Sequence, residues 1–86
     1  MTTMTNVMLR TAGDEAVIEM TGVDAGVVRV RLTRDADGAG WVTCDSWPLD
    51  VCRGWVRDIR AAGLSADEAV DDDDRTRAWL YVGGVA

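Results

Sequence analysis

Apolar residues recur in two rhythms along this chain, and the change of rhythm places the elements. Within Trp47 to Leu64, the residues Cys52, Trp55, Val56, Ile59 and Ala62 fall at i, i+3, i+4, i+7 and i+10. That is one face of a 3.6-residue period, and Leu49 extends it. The spacing predicts a helix. Pro48 suits the first helical position, where a missing N–H costs nothing, and Asp50 then sits near the positive end of the dipole. Gly63 can take the left-handed conformation that ends a helix, with Leu64 folding back onto Ile59. Trp55 is the expected central knob of the core, and Trp47 an N-terminal staple. Arg53, Arg57, Asp58 and Arg60 fall mostly off the apolar face, and the three arginines are expected in solvent. Gly54 breaks the pattern, at about 1 kcal/mol against Ala in a helix interior. Close approach of another backbone is its expected reason.

Elsewhere the apolar positions alternate. Ala16, Ile18 and Met20 oppose Val17, Glu19 and Thr21; Val28, Val30 and Leu32 oppose Arg29, Arg31 and Thr33. From Trp41 to Asp45 the reading places Val42 and Cys44 on the core side, with Trp41, Thr43 and Asp45 outward. Ala78, Leu80 and Val82 oppose Arg77, Trp79 and Tyr81 in a last strand. Asn6 to Thr11 adds a short first strand, after a frayed segment 1–5. Loops are expected at Ala12–Glu15, Gly22–Gly26 and Asp35–Gly40, with a solvated acidic loop over 71–75. Ser65 and Glu68 stand three apart, as in a capping box, and predict one helical turn through Val70.

The expected fold is α+β in a single domain, residues 1–86. A small antiparallel sheet, in the order β-β-β(-β)-α-β, carries one amphipathic helix across one face. The 86 residues suffice for one modest core, and 48% hydrophobic content is ordinary for a globular chain.

Charge changes this picture more than composition does. Nine Arg and no Lys stand against fifteen acidic residues, for a net charge of -6. Such a chain is repelled by nucleic-acid backbones and anionic membranes at long range, and suits a basic protein as partner. The absence of Lys and Phe, beside abundant Ala, Gly, Val, Asp and Arg, points to a GC-rich genome of actinobacterial or phage origin. No signal peptide is visible, no stretch nears the ~20 apolar residues of a membrane span, and a cytoplasmic location is expected.

Catalytic readings fail on inventory. There is no His to activate Ser46 or Ser65, no Lys for a Schiff base, and no glycine-rich loop between a strand and a helix. The chain is expected to be no enzyme and to carry no cofactor. Cys44 and Cys52 are both placed on inner faces, where they could meet; two reduced thiols are favoured over a disulfide, and without further Cys or His they make no zinc site. Asp35-Ala36-Asp37-Gly38 lacks the later ligands of a calcium loop: Ser46 stands where Glu is needed. The Arg29, Arg31 and Arg34 set could touch phosphate, as could Arg53, Arg57 and Arg60. Pairing with neighbouring acids, such as Glu19 across from Arg29, is the plainer expectation.

The aromatic residues carry the functional expectation. Trp41, Trp79 and Tyr81 are placed outward beside Arg29 and Arg31, and large aromatics beside Arg are what binding surfaces use. With Asp71, Asp72, Asp73 and Asp74 as electrostatic accessory, this face predicts a non-enzymatic protein-binding module. A plausible kind is a phage-type inhibitor of a host defence protein that binds nucleic acid, such as an anti-CRISPR. The alternatives are a small DNA- or RNA-binding domain reading a groove with its strand arginines, and a dimeric structural subunit that buries the aromatic face between two copies.

Overall fold

A computed structural model describes residues 4–22, 26–36 and 40–83. Among these, β1 (Met4–Ala12), β2 (Glu15–Gly22), β3 (Gly26–Arg34), β4 (Trp41–Thr43) and β5 (Trp47–Pro48) precede the helix α1 (Leu49–Ala61). Two strands follow it, β6 (Ala66–Val70) and β7 (Arg77–Val82). The expected α+β fold stands: an antiparallel sheet with one helix across it. Strand β1 pairs with β2, β2 with β3, and β3 with β4. Strand β7 then pairs along one edge with β4 and β5 in turn, and along the other with β6.

The sheet is curled. Helix α1 packs against β6 and β7 and also reaches β1, at the far end of the strand order. Gly83, just past β7, shows the same closeness. A Cβ there would meet Trp41 Cδ1 at 3.4 Å and Leu9 Cδ2 at 3.9 Å, and its φ of 76° already favours glycine. Inside the curl lie Ile18, Met20, Val30, Leu32, Leu80 and Val82 from the sheet, and Cys52, Trp55, Val56 and Ile59 from the helix. Trp47 meets Trp55 edge-to-face at 5.1 Å, so it packs at the start of the helix as expected. The helix also ends as expected: Leu64 N–H reaches Ile59 O and Gly63 N–H reaches Arg60 O, both bonds of a Schellman stop.

Several expectations need correction. Met4 and Thr5 belong to β1 rather than to a frayed end, which leaves 1–3 outside the described residues. Pro48 caps the helix instead of opening its first turn, and Leu49 N–H is satisfied by Thr76 O at 2.8 Å. The helical turn expected after Ser65 is strand β6. Asp67 and Glu68 are poor strand formers, but β6 lies at the sheet's edge, where charge is tolerated and blunts further pairing. Ser65 caps nothing there; its carbonyl accepts Gly83 N–H and prolongs the β6–β7 ladder. The helix arginines hold this strand. Arg60 Nε donates to Ala66 O at 2.8 Å, and Arg53 Nε lies 3.7 Å from Glu68 Oε1.

Strand β4 has the opposite phase from the expected one. Trp41 and Thr43 face the core, at 8% and 2% exposure, while Val42 is half-buried outside and Cys44 is exposed. Two causes are visible. An indole carries far more apolar surface inward than Val42 would. Thr43 Oγ1 also accepts Leu80 N–H at 3.2 Å, an amide facing the break between β4 and β5. The two thiols therefore do not meet: Cys52 is buried, Cys44 lies outside, and both are free. Burial, and then the charge of Glu68, push the Cys52 thiol above its ordinary range, while the Trp47 backbone and Arg77 oppose the rise.

Asp58, though off the apolar face of the helix, is buried; the Arg57 guanidinium lies 3.3 Å from its Oδ1. Gly54 meets no other backbone. A Cβ built there finds nothing within 4 Å, so the packing reason expected for this glycine is absent. Gly54→Ala should therefore stabilise the fold by about 1 kcal/mol, read as a raised urea midpoint at unchanged slope.

Candidate functional site

The outer face of the curled sheet falls into two halves of different character. On β2 and β3 the outward arginines lie against glutamates. Arg29 Nε donates to Glu19 Oε2 at 2.9 Å, and Arg31 Nη2 lies 3.6 Å from Glu15 Oε1. Antiparallel register sets both pairs, placing Arg29 opposite Glu19 and Arg31 beside Glu15. Both arginines are well exposed, so each pair is worth about 0–1 kcal/mol. The even-numbered side of β3 turns inward, so Arg34 leaves this face. Its guanidinium stacks 4.6 Å from the Trp41 ring centroid, with Asp14 Oδ1 3.6 Å from its Nε. The expected trio of Arg29, Arg31 and Arg34 is thus not one surface.

The other half centres on β7. Trp79 and Tyr81 point outward and stay half-buried; Tyr81 lies between Val42 of β4 and Asp67 of β6, and Trp79 lies beside Ala69. Trp41 is missing from this face, because its ring is in the core. An open groove of about 600 Å³ runs past Trp79 and is lined by Asp45, Ser46, Trp47, Asp71 and Arg77. Arg77 is occupied in holding the 44–46 bulge, with Nε to Ser46 Oγ at 2.9 Å and Nη2 to Ser46 O at 2.5 Å. The carboxylates of Asp45 and Asp71 pair with no cation among the described residues. Sequence reasoning places Asp45 outward but misses Val42 and Asp67 as members of this face. The alternation of 66–70 signals Asp67 once that segment is read as a strand.

The acidic run is an ordered hairpin between β6 and β7. Asp71 N–H donates to Arg77 O and Arg77 N–H to Asp74 O; Asp71 Oδ1 accepts Asp73 N–H. Asp74 Oδ1 accepts both Thr76 N–H at 3.1 Å and Thr76 Oγ1–H at 2.6 Å. Those bonds favour the ionised form and hold the Asp74 carboxyl below its usual range. A carboxyl depressed by folding contributes order above its unfolded pKa and loses it as pH falls through the folded one. The Thr76 amide resonance should accordingly titrate with a midpoint below the ~3.9 of a free aspartate. A midpoint at or above that value would contradict the hairpin's Asp74–Thr76 lock.

Among the described residues no three His, Cys, Asp or Glu side chains converge to hold a metal ion, and no helix is long and apolar enough to cross a membrane. No family model matches the chain, and neither the curated proteins nor the solved structures compared with it yield a match.

Proposed function

We propose that this protein is a non-enzymatic protein-binding module. Its contact surface is the Trp79/Tyr81 half of the outer sheet face, rimmed by Asp45, Asp67 and the acidic hairpin Asp71–Asp74. The observation that carries this reading is the pair of half-exposed aromatics on one strand, beside Asp45 and Asp71, whose carboxylates pair with no cation among the described residues, while Asp67 lies 3.7 Å from Arg60 Nη2. Buried aromatic anchors inside a polar rim are the anatomy of protein interfaces. A net charge of -6 makes a basic protein surface the complementary partner. The finer reading is a phage-type inhibitor that covers a basic nucleic-acid channel of a host defence protein, as acidic anti-CRISPR proteins do. It rests on size, acidity and GC-rich composition.

Nucleic acid as the ligand finds less support. Arg29 and Arg31 are already paired with Glu19 and Glu15, and Arg34 turns to the other side of β3. Titration with random duplex DNA at low salt tests this directly. The present reading expects no saturable binding; affinity that falls steeply with salt would favour the nucleic-acid reading. A second copy covering Trp79 and Tyr81 is tested by sedimentation. A dimer dispersed by Trp79→Ala would transfer the surface from a foreign partner to the chain itself.

A further inference from the structure

Gly54 stands inside a helix at a cost and has no packing neighbour that requires it. It also lies on the wall of an open groove of about 740 Å³ between α1 and the end of the β6–β7 hairpin. Arg53 and Arg57 rise on the helix side and Arg75 on the hairpin side; Leu49 supplies an apolar floor. A glycine in such a place lets a ligand approach the backbone. Arg75 pairs with no acid among the described residues, and Arg53 meets Glu68 only through Nε at 3.7 Å.

We infer that this groove, which adjoins the acidic hairpin of the proposed partner surface at Arg75, binds the phosphate of a small phosphomonoester, with Arg75 and Arg53 as the charged hydrogen-bond donors and Gly54 as the point of backbone approach. Guanidinium forks match phosphate oxygens bidentately. Acids farther than about 10 Å are screened at ordinary salt; Asp50 on the groove wall and Asp74, next to Arg75 in the chain, are closer, so the phosphate must be held by both guanidiniums. The groove far exceeds a single phosphate in volume, and Leu49 offers apolar contact, so the phosphate is expected to arrive attached to an organic group rather than as the free ion.

Calorimetric titration with inorganic phosphate and with a nucleoside 5′-monophosphate tests the assignment. The monophosphate should bind saturably and more tightly than the free ion. Arg75→Ala should weaken it about tenfold, one lost charge-assisted hydrogen bond. Gly54→Ala should weaken it too, while raising the thermal midpoint, so loss of folding cannot explain the loss of binding. Arg31→Ala, on the outer sheet face, should change nothing. Absence of saturable binding by either probe, or parent-level affinity in both Gly54→Ala and Arg75→Ala, would overturn the site. Tighter binding of inorganic phosphate than of the monophosphate would overturn the assignment to an organic phosphomonoester.

Discussion

Trp55→Ala is expected to remove about 3–5 kcal/mol of folding stability, the usual cost of truncating a core tryptophan. The ring is 8% exposed and meets Trp47 edge-to-face, among Cys52, Val56 and Ile59 on the face that closes the curl of the sheet. Its removal takes away transfer free energy and the aromatic contact together, and leaves a cavity bounded by a helix and strands that cannot fully collapse. Small domains have about 5–15 kcal/mol in all, so the variant should sit near the edge of folding at 25 °C. A urea titration followed by far-ultraviolet circular dichroism reads the shift. A midpoint close to that of the parent would remove Trp55 from its central place.

The second large effect concerns binding and should leave folding alone. Trp79→Ala and Tyr81→Ala act on half-exposed rings of the outer face, where truncation opens no cavity in the core. Each is expected to cost about 2 kcal/mol or more of partner binding, roughly 30-fold in Kd, as hot-spot aromatics do. Neutralising the rim, by Asp45→Asn with Asp67→Asn, should instead slow association and flatten its salt dependence, because rim charge acts mainly on encounter. An unchanged association rate in that double variant would separate the acidic rim from the binding surface.

The frame of this fold was legible in the sequence wherever a single rhythm ran long enough. The helix and its Gly63 stop emerge from the 3.6-residue period, and β7 from six alternating residues bounded by an acidic loop. The outward placement of Trp79 and Tyr81 follows from the same alternation. Reading failed where a rule needs a neighbour. Strand β4 has only three residues, so alternation fits either phase; Leu80 N–H, lying 37 residues away, helps hold Thr43 inward and with it Trp41. Strand β6 reads as a cap because its local chemistry is that of a cap, and pairing with β7 overrides it. Asp58 falls off the apolar face of the helical wheel, yet it is buried beside Arg57. Of the expected contact residues, Arg29, Arg31, Trp79 and Tyr81 share the outer face, Asp71–Asp74 adjoin it, and Trp41 does not. The two arginines stand apart from the aromatics, balanced by their own glutamates.

The division between a helix that holds the fold and a β7 face that meets a partner has one direct test. Parent protein, the Trp79→Ala/Tyr81→Ala variant and an Arg29→Ala/Arg31→Ala variant are immobilised in turn and exposed to the same cell extract, with circular dichroism confirming that all three are folded. Recovered proteins are then identified and quantified by mass spectrometry. The account predicts a basic protein captured by the parent and by the arginine variant and lost from the aromatic one. Undiminished capture by the aromatic variant, or loss confined to the arginine variant, would contradict it.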